Sequence, residues 1–173
     1  MKRFPIKFEN VPPVIRDENN WVLWKNIIRK GKSTKVPFSV YSLPASSTDP
    51  ATWSTYESAV IRFDAATHAG IGFVFREAGG FAGIDLDGCR NPESGVIEDW
   101  AWKVIERFHG YTEISPSETG VKIWIPCSAS IAKGINQKMN HKAVSEKTPG
   151  VEIYTHGRYF AFTGNVIKGY ESL

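Results

Sequence analysis

The chain has 173 residues, of which 42% are hydrophobic and 23% charged. These values suit one globular domain and exclude wholesale disorder. The formal net charge is +3 and the pI about 8.8, a mildly basic balance that tolerates a nucleic-acid partner without demanding one.

Cys89 and Cys127 have no CxxC spacing and no histidine cluster beside them, which argues against a structural zinc site and for a reduced, cytoplasmic protein. Residues 1–10 carry Lys2, Arg3, Lys7 and Glu9 but no apolar stretch of signal-peptide length. No run approaches the roughly 18 apolar residues of a membrane span, so no membrane partner is expected. Without repeats, low-complexity segments or linkers, residues 1–173 are expected to form a single domain.

In chain order, the aromatic run 21–24 predicts a strand. Residues 31–35 form a basic stretch, with Lys30 just before it and Lys32 and Lys35 inside it, and are expected as a turn. Residues 36–38 are expected to be extended and 44–48 a loop. Asp49 and Pro50 have the chemistry of an N-cap and a first helical position, and Trp53, Tyr56, Val60 and Phe63 follow at helical spacing. Residues 70–75 and 81–87 are predicted as two strands of one hairpin, turned at Gly79-Gly80. A helix is predicted over 97–108, with acidic Glu98 and Asp99 in its first turn and Gly110 past its end. Residues 111–114 and 121–125 predict strands around a Ser/Pro/Gly turn, and the polar, basic stretch 128–149 a long excursion. Residues 150–154 and 159–163 are expected to close as a hairpin. Together these predict an α+β fold with a largely antiparallel sheet and flanking helices.

The densest chemical signal is Gly83-Ile84-Asp85-Leu86-Asp87-Gly88. Side chains two apart in a strand share a face, so Ile84 and Leu86 point to a core and Asp85 and Asp87 together to the other side. Two carboxylates with Cα atoms about 6.5 Å apart repel unless a cation lies between them. Hard divalent ions such as Mg²⁺ or Mn²⁺ take such oxygen ligands. Val151-Glu152-Ile153 repeats the pattern. If its strand neighbours the first, three acids converge, as two-metal phosphoryl transfer requires. An isolated DxD pair also occurs in turns and exposed strands, so the combination carries the weight.

Ser115-Pro116-Ser117-Glu118-Thr119-Gly120 is a hydroxyl-rich turn leading into Val121-Lys122-Ile123. Hydroxyls and free backbone N–H groups cradle phosphate oxygens, and Lys122 could neutralise a triphosphate. Arg158 after Gly157 could bind phosphate bidentately, and Lys35 is a further cation candidate. No GxxxxGK[ST] sequence is present, which excludes a Walker-type ATPase in this stretch. The four histidines show no ligand spacing, and Cys89 reads as a small packed residue.

Taken in order, Trp21-Val22-Leu23-Trp24, Lys35-Val36-Pro37, Gly70-Ile71-Gly72-Phe73, Gly83 to Asp87, Ser115 to Trp124, and Val151 to Gly164 resemble the bifunctional primase-polymerase domain of phage, plasmid and mobile-element replication proteins. That domain belongs to the archaeo-eukaryotic primase superfamily. The resemblance runs from about Trp21 to Asn165. It implies an RRM-like catalytic sheet with an added N-terminal α/β lobe, acting on a DNA template and primer with nucleoside triphosphates. It implies that Asp85, Asp87 and Glu152 are catalytic and hold two Mg²⁺ or Mn²⁺ ions. Ser115, Ser117, Thr119, Gly120 and Lys122 would meet the triphosphate, with Arg158 and Lys35 beside them. Relatives often continue into a helicase domain, so the chain is expected to be a fragment of a longer replication protein with a helicase partner. Two positions depart from the pattern. Many relatives have histidine at Lys122 and glycine at Glu118. The rival readings are a metal-dependent nuclease and a non-catalytic module that binds single-stranded nucleic acid.

Overall fold

Aromatic and β-branched residues crowd the strands of this chain, and the strands sort into two sheets. In the computed structural model the described residues are 5–173, so Lys2 and Arg3 lie outside them. Strands β1 (Trp21–Arg29), β2 (Lys32–Phe38), β3 (Gly70–Phe75) and β9 (Arg158–Ala161) form a four-stranded sheet in the order β2-β1-β3-β9. Strands β4 (Phe81–Asp87), β5 (Tyr111–Ile114), β6 (Val121–Pro126), β7 (Ile135–Lys138) and β8 (Gly150–Tyr154) form a five-stranded sheet in the order β5-β6-β4-β8-β7. All pairings are antiparallel. The α+β class holds; the first sheet takes three strands from the N-terminal part, as expected of an added N-terminal lobe, and its fourth, β9, from near the C-terminus.

The second sheet is built on a split β-α-β unit. A short helix α1 (Pro13–Arg16) precedes β1; helix α3 (Asp99–Phe108) connects β4 to β5, and β6 lies between those two strands. The path from β6 to β8 runs through the edge strand β7 and contains no helix.

Two expected hairpins are not formed. β3 pairs with β1 and β9, whereas β4 pairs with β6 and β8. The Gly79-Gly80 turn, with Gly80 at φ 79°, therefore carries the chain from one sheet to the other. The segment after β8 does the same at Gly157, φ 69°, and delivers β9 to the first sheet. The helix expected from Asp49 is also broken. The Asp49 side chain caps only a short 3-10 turn, Pro50–Thr52, and Trp53 is extended. A separate helix α2 (Tyr56–Arg62) begins where the Thr55 side chain accepts a hydrogen bond from the Ser58 N–H. The basic stretch ending at Lys35 is mostly strand β2, and the turn before it is Lys30-Gly31.

Periodicity explains the two cores. Trp21, Leu23, Phe73, Phe75 and Phe160 of the first sheet pack with Tyr111, Trp124 and Tyr154 of the second. Phe75 and Phe160 meet edge to face with centroids 4.9 Å apart, and Trp124 meets Phe160 at 5.5 Å. A Cβ on Gly83 would overlap the Phe75 and Phe160 rings, so a glycine is what lets the sheets close here. On the opposite face of the second sheet, Ile84, Leu86, Val121 and Ile123 pack with Ala101 and Ile105 of α3. Cys89 belongs to this second core, fully buried, and burial pushes its thiol up to about 12, as expected of a packing residue.

Candidate active site

The strand register sets one row of polar side chains across the second sheet. Glu113 on β5 pairs with Lys122 on β6, Lys122 with Asp85 on β4, Asp85 with Glu152 on β8, and Glu152 with Asn136 on β7. Directly opposed residues share a face with Cβ atoms about 4.5–5.5 Å apart, so each is within reach of the next. The neighbouring row on that face is the aromatic one, Tyr111, Trp124, Gly83 and Tyr154, which is sealed against the first sheet. The polar row therefore lies just beyond the contact between sheets. There it opens a cleft of about 260 Å³ lined by Lys35, Asp85, Lys122, Glu152, Tyr154 and Arg158, among others.

Lys122 is almost entirely buried, its side chain 6% exposed, and its ammonium donates to Asp85 Oδ2. The same ammonium lies 4.1 Å from the centroid of the Phe160 ring. Asp85 Oδ1 is buried and has no hydrogen-bond partner among the described residues. Glu152 accepts from Asn136 Nδ2 through Oε1 at 2.5 Å and from the Tyr154 hydroxyl through Oε2 at 2.8 Å. The Arg158 guanidinium rests 5.1 Å above the Tyr154 ring. Asp87 is one row further along β4, and Lys147 donates to its Oδ1 at 2.8 Å. The hydrogen bond from Lys147 to Asp87 raises the lysine's pKa against the opposing effect of burial. Lys35 brings its ammonium toward the same carboxylates and 5.5 Å from the centroid of the Trp24 ring. Although Lys35 as a whole is exposed, desolvation of its ammonium, then repulsion from Lys122, lowers its pKa to about 8, partly offset by Asp85 and Asp87.

Asp85, Glu152, Lys122, Arg158 and Lys35 thus share one cleft. Ser117 lines a different cavity of about 470 Å³, with Trp24, Lys25, His68 and Phe162. In the turn, the Ser115, Ser117 and Thr119 hydroxyls form a chain, 3.1 Å and 2.8 Å apart, so they bond one another first. Gly120 runs so close to the β4 backbone that a Cβ there would stand 2.5 Å from the Leu86 carbonyl oxygen. Glu118, at φ 61°, occupies the left-handed region natural to glycine. It lines the second cavity, away from the Asp85 cleft, and its carbonyl accepts from Arg90 Nη1 at 2.7 Å.

Four further residues shape the site and were not singled out for it from the sequence. Tyr154 stands two residues from Glu152 on one strand, so period-two spacing could have found it. Asn136 and Lys147 lie in the polar excursion with no local signal. Glu113 shares a face with Tyr111 by the same spacing. It is fully buried and accepts from the Thr163 N–H at 2.8 Å, the Gly164 N–H at 2.7 Å and the Tyr111 hydroxyl at 3.1 Å. Burial pushes its carboxyl up to about 8 despite those donors.

The donor set fits a hard divalent ion. Asp85 and Glu152 are adjacent oxygen donors, one buried oxygen of Asp85 lacks a partner, and the ammonium groups of Lys122 and Lys147 sit where a cation is electrostatically favoured. Among the described residues, no three acidic, histidine or cysteine side chains are gathered closely enough to hold an ion together.

No model of a known protein family matches the chain. A DNA primase-polymerase of Nitratiruptor phage NrS-1 is 31% identical over 157 residues, which cover 88% of this chain and 20% of that protein. The chain therefore spans about a fifth of the length of the curated relative it matches.

Proposed function

This chain is related to the DNA primase-polymerases of phage type, and from that relation we propose that it is a catalytic domain for template-directed nucleotidyl transfer, active as a primase, a DNA polymerase or both. The observation that carries the proposal is the charge order across β6, β4 and β8, Lys122 then Asp85 then Glu152, at the floor of one cleft rimmed by Arg158 and Lys35. Anions beside cations in this order suit a substrate that brings both a metal and a polyphosphate.

Asp85 and Glu152, with Asp87 one row on, would hold Mg²⁺ or Mn²⁺ as a two-ion site. Ions bound there supply the acidification of a primer 3′-hydroxyl and the charge neutralisation of departing pyrophosphate. Lys122, freed from Asp85, and Arg158 then bind phosphate oxygens, Arg158 through its forked donors and Lys122 as a point charge. Tyr154 holds Glu152 in place through its hydroxyl and supports Arg158 with its ring. Lys35 closes the cleft from the first sheet. The hydroxyl turn at Ser115, Ser117 and Thr119 borders the neighbouring cavity through Ser117, its Gly120 backbone pressed against Leu86 near the end of β4. The substrates are a DNA template and primer with nucleoside triphosphates. A helicase supplied elsewhere in a longer protein, or by another chain, would open the template.

The test is template-dependent extension of a labelled primer in Mg²⁺ or Mn²⁺, comparing the natural chain with an Asp85→Asn, Asp87→Asn double variant. Extension should fall by at least about 10³-fold, with the folded state checked by its melting transition. Undiminished extension by the folded double variant would refute the assignment. DNA degradation without triphosphates would replace it with a nuclease.

A further inference from the structure

The first sheet does not end where its core ends. β1 pairs with β3 only from Trp21 to Trp24, but its pairing with β2 continues through Arg29↔Lys32. Residues 25–35 therefore extend past the sheet as a two-stranded ribbon. Asn26, Ile28, Arg29, Lys30, Lys32 and Ser33 are exposed, Ile28 at 69%. The ribbon carries Lys25, Arg29, Lys30, Lys32 and Lys35, and no aspartate or glutamate occurs anywhere between positions 19 and 48. Among the described residues none of Arg29, Lys30 and Lys32 joins an ion pair.

The tip adds a second observation. Lys30 and Gly31 both have positive φ, 50° and 76°, as a two-residue type I′ hairpin turn requires. Asparagine or aspartate is the usual first residue of such a turn, so a lysine there accepts conformational strain to place a cation at the apex. By strand alternation and register, Lys25, Arg29 and Lys32 lie on one face of the ribbon and Lys35 on the other, with Lys30 in the turn at the tip.

We infer that the β1–β2 ribbon grips the phosphate backbone of duplex DNA just outside the cleft. This rests on the reading of that cleft as a primer-extension site. Lys35 at the ribbon's base reaches the cleft carboxylates, so a duplex held by the ribbon is held next to the chemistry. From Asn26↔Lys35 to Arg29↔Lys32 the ribbon advances about 10 Å, at roughly 3.3 Å per residue. That length follows about three base pairs, at 3.4 Å per phosphate on each strand. Cations on both faces suit a ribbon between the two phosphate walls of a groove, and a two-stranded ribbon fits the major groove. The contacts involve no base edges, so binding is independent of sequence.

The test compares the natural chain with an Arg29→Gln, Lys30→Gln, Lys32→Gln triple variant and a charge-keeping Arg29→Lys, Lys30→Arg, Lys32→Arg variant. Binding of a fluorescent duplex, and of one of its strands alone, is followed over a salt series. In the glutamine variant the slope of log affinity against log salt should shrink by about 2 to 3 for duplex. In primer extension, KM for primer-template should rise about tenfold, as expected when three phosphate contacts are lost, while kcat and KM for nucleotide stay unchanged. The charge-keeping variant should match the natural chain. An unchanged slope and KM in the glutamine variant would overturn the inference, as would an equal loss in the charge-keeping variant or a slope change confined to the single strand. A natural chain whose duplex binding depends on the ribbon but which extends no primer would remove the polymerase reading and leave the ribbon. Normal extension with ribbon-independent binding would do the reverse.

Discussion

Lys122 stands between two carboxylates that look alike in sequence and differ in what surrounds them. On its β5 side, Glu113 is fully buried and each of its oxygens is held by protein donors, two backbone N–H groups and a phenol. On its β4 side, Asp85 gives one oxygen to Lys122 and leaves the other buried without a partner among the described residues. A buried polar atom without a partner costs on the order of 1–3 kcal/mol. Glu113 is sealed away from the cleft and satisfied by backbone N–H groups and a phenol, whereas Asp85, with an open oxygen, and Glu152, held only by the side chains of Asn136 and Tyr154, both line the cleft. Cleft exposure and the kind of hydrogen-bond donor, more than residue type, set Glu113 apart from the other acids of this polar row.

The largest expected effect falls on the structural side. Glu113 ties β5 to the Thr163-Gly164 corner, about fifty positions away in sequence. Glu113→Ala would leave two buried N–H groups without an acceptor, at about 1–3 kcal/mol each, and open a cavity besides. Stability measured by urea titration should drop by about 3 to 6 kcal/mol. Primer extension per folded molecule should be kept. Loss of extension in molecules shown to be folded would place Glu113 in the chemistry and dissolve the contrast with Asp85.

The contrast also has a pH signature. Glu113 has its carboxyl raised from 4.5 to about 8 in the folded chain, chiefly by burial. Between those values the folded state holds a proton that the unfolded state has released, so stability from this group falls as pH rises. The contribution is fully present below about pH 4.5 and gone above about pH 8. The decline amounts to at most roughly 4 to 5 kcal/mol, at about 1.36 kcal/mol per pH unit. Subtracting the unfolding curves of Glu113→Gln from those of the natural chain, between pH 5 and 8.5, isolates it. A flat difference would mean that Glu113 stays ionised.

How much of this was legible beforehand follows from where each signal acts. The alternation in Ile84-Asp85-Leu86-Asp87 is local, and both its buried and its cleft-facing sides are where period two places them. The pairing of β8 with β4 was legible only as a condition, and the register then puts Glu152 opposite Asp85. The false hairpins at Gly79-Gly80 and Gly157 have real turn chemistry. Whether a turn returns a strand to its own sheet or passes it to the next depends on packing between layers, which Gly83 and its aromatic neighbours decide. β7 is a fully exposed edge strand, so no apolar pattern marks it. Glu113 was invisible because its donors at 163 and 164 are distant in sequence. The sequence places the hydroxyl turn in one phosphate site, whereas its hydrogen bonds run along the turn itself and Ser117 lines a separate cavity.

That second cavity gives the smallest and cleanest expectation. Glu118 sits at φ 61°, where an L side chain is strained and glycine is not, and it faces the Ser117 cavity instead of the Asp85 cleft. Its contact with Arg90 is made by the main-chain carbonyl, which a substitution keeps. Glu118→Gly removes the strain but also loosens the unfolded chain, and the two effects oppose each other. Relief of about 1–2 kcal/mol against an entropy cost of roughly 0.5–1 leaves a net gain of about 0–1.5 kcal/mol, readable as a small rise in melting temperature. KM for nucleotide should not move, because no triphosphate bound at Lys122 and Arg158 would meet the Glu118 carboxylate. A several-fold fall in that KM would mean that the acid repels the substrate, and that the two cavities act as one site.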